Sequence, residues 1–150
     1  MKTQVLAEHD LTDLFGVNGV VVRNLPAMVC PSCGDLVIGG PVLEVLSEAL
    51  FAQMLHGSFA LFGAEVRFLR KAIGFTQVQL SELVGVDRVT VARWETSADR
   101  LAMPESIAIR AVIAANVNGG AEEMPRDGLR KPPAPRPSRF ELEAPPASGM

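Results

Sequence analysis

The sequence predicts an α+β chain: a small N-terminal β-hairpin domain with a knuckle-like cysteine turn and one helix, then an all-helical domain, then a disordered tail. Three observations carry this reading. β-branched runs and turn residues fill 11–38, and helical periodicity with glycine punctuation runs from Val42 onward. After Gly119–Gly120 the composition turns rich in Pro, Ala and charge. The corresponding boundaries are 1–63, 64–118 and 119–150.

Asn18–Gly19 lies between apolar runs in 11–29 and signals a hairpin. Val20, Val21 and Val22 are β-branched and favour a strand, which Pro26 confines to an edge or ends. Cys30-Pro31-Ser32-Cys33-Gly34-Asp35 reads as a tight turn, with Gly34 free to take an unusual φ, and a second short strand follows in Leu36–Ile38. Pro41 suits the first position of a helix whose stripe is Val42, Leu46, Leu50 and Met54, ending at Gly57. Glu44, Glu48, Gln53 and His56 interrupt that apolar stretch, so it reads as a buried helix and not a membrane span. The N-terminus shows no apolar signal region, so a cytoplasmic protein is expected. The tail holds most of the eleven prolines and too little apolar surface to offset its ordering entropy.

Charge is unevenly spread. Residues 1–63 carry two basic side chains against six acidic ones, while 64–118 carry seven basic against six acidic. The net charge of −3 does not exclude DNA binding, because the local placement of arginine decides phosphate contact. The acidic front half suits a basic protein partner better.

Between Ala64 and Asn118 every signal is helical. A first helix, about 64–73, puts Val66, Leu69 and Ile73 on one face, with Arg67, Arg70 and Lys71 outside it. Thr76 is an N-cap for a second helix, 77–84, that buries Leu80 and Leu83. Gly85 makes a sharp turn, Val86 drops inward, and Asp87 caps a third helix, 88–96, with Val91 and Trp94 inside. Arg88, Val89, Thr90 and Arg93 are left pointing outward. Two short helices joined by a glycine turn form a helix-turn-helix, whose second member enters the major groove. There Arg93 can donate two hydrogen bonds to guanine, and Thr90 can pack on a thymine methyl or bond a phosphate. Gln77, at the start of the second helix, is placed to bond a backbone phosphate. The bland alternative is a helical bundle with solvated arginines, which has no need of Gln77, the Gly85 turn and outward Thr and Arg together.

The stretch 76–95 resembles the Xre family of helix-turn-helix domains, which includes the lambdoid phage Cro and cI repressors. The resemblance rests on Thr76–Gln77, Val84–Gly85–Val86 and Trp94–Glu95. The residues expected at the DNA are Gln77, Arg88, Val89, Thr90 and Arg93, in a dimer that sets two third helices in successive major grooves. The wider layout of 10–118, with its CPxCG turn before an apolar helix, resembles the MqsA (YgiT-type) antitoxins. That implies a zinc-binding front domain that neutralises a toxin ribonuclease, and a back domain that forms a homodimer and represses its own operon at a palindromic double-stranded operator. The chain departs from that pattern in having only one CxxC, Cys30 and Cys33, where the family has two. A structural zinc site wants four ligands. The remaining soft donors are His9 and His56, and two chains could share one metal; a metal-free turn is the alternative.

No Ser/His/Asp or Cys/His set, phosphate-cradling glycine loop or paired-carboxylate pocket emerges, so an enzyme is not expected. Two functions remain: an autorepressing antitoxin of a type II toxin–antitoxin system, or a stand-alone Xre regulator whose front domain dimerises or senses a signal.

Overall fold

The structure, a computed structural model, describes residues 2–117 and 139–145. They form two compact units, 2–50 with 139–145 and 51–117. The chain is α+β, as its patterning predicts, with a sheet in the first unit and helices in the second.

In the first unit, β1 (Lys2–Asp10) runs antiparallel to β2 (Val20–Val29), with Lys2 opposite Val29 and Asp10 opposite Val21. The hairpin at Asn18–Gly19 therefore differs from its sequence reading. Its first strand lies earlier, and the link is a longer one built around the one-turn helix α1 (Thr12–Phe15). Thr12 closes this link: its hydroxyl accepts from the N–H groups of Gly19 and Val20, both at 3.2 Å, while its own N–H donates to Asp10 Oδ1 at 2.7 Å. Gly16 and Gly19 take positive φ there, which a side chain would resist.

β2 is the central strand. Its other edge pairs antiparallel with β3 (Leu36–Val37) at Met28–Val29, and parallel with β4 (Phe140–Glu143) at Val20–Arg23. Pro26 thus sits inside a central strand, against expectation. It falls in the gap between the β3 and β4 pairings, where that edge of β2 asks for no ladder donor.

β4 also corrects the reading of 119–150 as wholly disordered. Phe140 and Leu142 are 1% and 2% exposed, Glu141 and Glu143 face out, and Arg23 and Asn24 meet those carboxylates at 3.1 and 2.7 Å. The alternation Phe-Glu-Leu-Glu is a strand signal inside a proline-rich setting. The rest of the expected tail, 119–138 and 146–150, lies outside the described residues.

Helix α2 (Gly40–Leu55) buries Val42, Leu46, Leu50 and Met54 completely, as its stripe predicts. The second unit then holds α3 (Gly63–Ala72), α4 (Gln77–Val84), α5 (Arg88–Thr96) and α6 (Met103–Asn116) around Val66, Leu69, Leu80, Val91, Ile109 and Ile113. A buried arginine anchors the segment that leads into α3. Arg110 on α6 donates to the carbonyls of Met54 at 2.8 Å and Phe59 at 2.6 Å, with its guanidinium 4.7 Å from the Phe59 ring centroid. Burial pulls this guanidinium down to about 10 while the charge of Glu65 opposes the shift, so it stays protonated at neutral pH. No helix among the described residues is long and apolar enough to cross a membrane.

Candidate nucleic-acid interface

Thr76 opens α4 with a reciprocal cap. Its hydroxyl accepts from Gln79 N–H at 3.1 Å, and Gln79 Oε1 accepts from Thr76 N–H at 2.8 Å. Gly85 ends the helix at φ 84°, the left-handed conformation that lets the chain turn sharply. Asp87 then occupies the N-cap of α5, as expected, but through its backbone: its carbonyl accepts from Thr90 and Val91, with no cap bond from its carboxylate.

A buried ion pair ties α5 to α3. Arg70, expected among the outward side chains of α3, is buried, and its Nε and Nη2 each donate to a carboxylate oxygen of Glu95 on α5 at 2.8 Å. Its Nη1 donates to Phe75 O at 2.8 Å. The pair's side chains are 10% and 3% exposed, and Glu95 holds the Arg70 guanidinium firmly charged. Arg70 lies four residues after Val66 and three before Ile73, so helical spacing alone could have put it on the inner face. The start of α3 also approaches α5 closely, since a Cβ on Gly63 would stand 1.8 Å from Trp94 O.

Of the expected contact residues, Arg88, Val89 and Arg93 lie exposed on α5, and Thr90 is half-buried. Val89 is 53% exposed, an apolar side chain in solvent at the first turn of the helix. Val91, on the opposite side, is fully buried. Val89 and Arg93 are four residues apart and share a face, with Thr90 three before Arg93. Gln77 is half-buried, and its amide nitrogen donates to Glu95 Oε1 at 3.4 Å, so one amide N–H is engaged within the domain and a second remains.

Leu83 departs from expectation: it is 49% exposed. The inward arc of α4 is centred on Leu80 and Ser81, both buried, and Leu83 falls outside it. Ile73, Val86 and Trp94 are half-buried, at the margin of the core.

Residues 66–110 match the helix-turn-helix family. The match supports an Xre-type helix-turn-helix in this segment and a DNA-binding regulator of transcription. No curated protein and no solved structure matches the chain.

The cysteine turn belongs to the first unit. Cys30 accepts from Gly34 N–H at its carbonyl and donates its N–H to Asp35 O, both at 2.9 Å, and Gly34 takes φ 77° as foreseen. Both thiols are free, and Cys30 Sγ lies 3.2 Å from Ser32 Oγ. Hydrogen bonds from Ser32 and then Cys33 pull the Cys30 thiol down to about 6. The pair supplies two of the four donors of a structural zinc site. His9 does not complete it, because it pairs with Val22 while Val29 adjoins the cysteines, about 24 Å along the strand. Among the described residues no three His, Cys, Asp or Glu side chains gather to hold a metal. The thiols of one chain therefore do not fit a complete structural zinc site by themselves, and zinc there would need donors from elsewhere.

Proposed function

We propose that this chain is a sequence-specific repressor that binds a palindromic double-stranded operator as a homodimer, with α5 of each copy in the major groove. The observation that carries this is the outer face of α5: Val89 and Arg93 exposed together, opposite the buried Val91, on a helix tied to α3 by the Arg70–Glu95 pair. Arg93 donates to guanine, Val89 packs on a thymine methyl, Thr90 packs on a thymine methyl or bonds a phosphate, and Arg88 meets the backbone. Gln77 bonds a phosphate through its second amide N–H at the N-terminus of α4.

Selection of bound sites from a random duplex pool tests this reading. A repeated half-site, spaced by about one helical turn, supports it. Recovery of unrelated sequences, bound with equal affinity, contradicts it. Gln77→Ala should weaken binding to all duplexes alike while keeping their ranking.

For the biological setting, the layout of a cysteine-turn domain before the helix-turn-helix favours an antitoxin that represses its own operon. Co-expression with the neighbouring reading frame tests this: rescue of growth by this chain supports it, and a neighbour that is harmless alone contradicts it. The half-complete thiol set favours a second reading, a stand-alone regulator whose first unit dimerises or senses a signal.

A further inference from the structure

β1 is nine residues long, and among the described residues no strand pairs with its outer edge. Such an edge offers a row of backbone donors and acceptors to any extended chain. Folded proteins usually blunt it with proline, interior lysines, a short length or a covering element. β1 has no proline, its one lysine is at its first position, and its side chains are mostly exposed, Val5 at 57%.

The sequence of this strand is complementary to itself. A two-fold axis perpendicular to the sheet makes two copies antiparallel, and the alignment that pairs all nine residues is centred on Leu6. It sets Lys2 opposite Asp10 of the other copy, Gln4 opposite Glu8, Thr3 opposite His9 and Val5 opposite Ala7. The charged ends attract, and no like charges face each other. An alignment shifted by four toward the C-terminus sets Glu8 against Glu8, and each shorter alignment leaves backbone groups unpaired. Hydrogen bonding from the Thr12 side chain, and then from its backbone N–H, holds the Asp10 carboxylate below the usual carboxylate range, so that end stays anionic.

We infer that β1 is a self-association edge: two copies of this chain join β1 to β1 in antiparallel register about Leu6, making one continuous sheet. This interface deepens the homodimer reading above and rests on it.

The test is position-specific cross-linking of the full chain with Cys30 and Cys33 replaced by serine. Leu6→Cys places two thiols opposite each other at the axis, and mild oxidation should give a covalent dimer. Thr3→Cys places them about 20 Å apart, six residues along the strand, and should stay uncross-linked. Cross-linking at both positions alike, or at neither, overturns the interface. Lys2→Glu provides a second reading on an exposed side chain whose change leaves the fold intact. At low salt the dimer's dissociation constant should rise at least fivefold, and Lys2→Glu with Asp10→Lys should recover it. An unchanged constant in Lys2→Glu also overturns the proposal. A dimer that binds DNA without cross-linking at residue 6 refutes the strand interface alone, whereas a monomer on DNA refutes the homodimer reading as well.

Discussion

Replacing Glu95 by glutamine should unfold the helix-turn-helix more readily than any surface change on it. The substitution keeps the shape and removes the charge that faces Arg70. Two 2.8 Å bonds then lose their charge assistance, and a guanidinium only 10% exposed is left without a counter-charge. Breaking a buried pair from one side costs about 3–5 kcal/mol, because the remaining ion stays desolvated. Arg70→Met should cost a similar amount, since it strands a carboxylate 3% exposed whose other donor is Gln77 at 3.4 Å. The double variant Arg70→Met with Glu95→Leu removes both charges and fills the space. It should cost only about 1–2 kcal/mol, most of it from Phe75 O losing its donor. Trp94, the only tryptophan, adjoins Glu95 and reports on this unit, so urea unfolding followed by its fluorescence is the assay. Each single variant should lower the midpoint by more than about 1 M. Single variants costing under about 1 kcal/mol, or a double variant costing the sum of its singles, would refute the reasoning.

Gly63→Ala should destabilise the same unit by about 1–3 kcal/mol or more, because a Cβ 1.8 Å from Trp94 O forces backbone apart; thermal unfolding checks this. On α4, Leu80→Ala should cost about 2–5 kcal/mol and Leu83→Ser less than about 0.5, since one is fully buried and the other 49% exposed. Equal costs in urea titrations would contradict the burial of α4. Cys30 should be alkylated by iodoacetamide with a rate that rises with pH to half its maximum near 6, because its lowered pKa populates the thiolate above that value. Ser32→Ala should move the midpoint upward, and peptide mapping separates Cys30 from Cys33 in both experiments.

The second unit was the more legible one because its signals are local. Thr76, Gly85 and Asp87 mark helix ends within a few residues, and the structure places α4 and α5 at 77–84 and 88–96 as those marks require. The stripe of α2 was equally plain. What escaped depends on distant partners. β1 reads Lys-Thr-Gln-Val-Leu-Ala-Glu-His-Asp, with little β propensity, and becomes a strand because β2 lies beside it. β4 owes its place to Phe140 and Leu142 meeting β2 across more than a hundred residues of chain. Arg70 resembles any surface arginine until Glu95 is brought to it, so a stripe read from apolar residues alone leaves it outside. Leu83 shows the reverse error, an apolar residue assigned inward although Leu80 and Ser81 define the buried arc.

The central claim is that the outer face of α5 reads DNA, and a salt-titrated binding assay with wild type and Arg93→Ala tests it most directly. The duplex is the DNA upstream of the chain's own gene. Wild-type binding should be tight and weaken as salt rises, and Arg93→Ala should lose about 1–3 kcal/mol and relax preference at one base pair. Equal affinity of the two proteins for that duplex, or no wild-type binding at low salt, would contradict it.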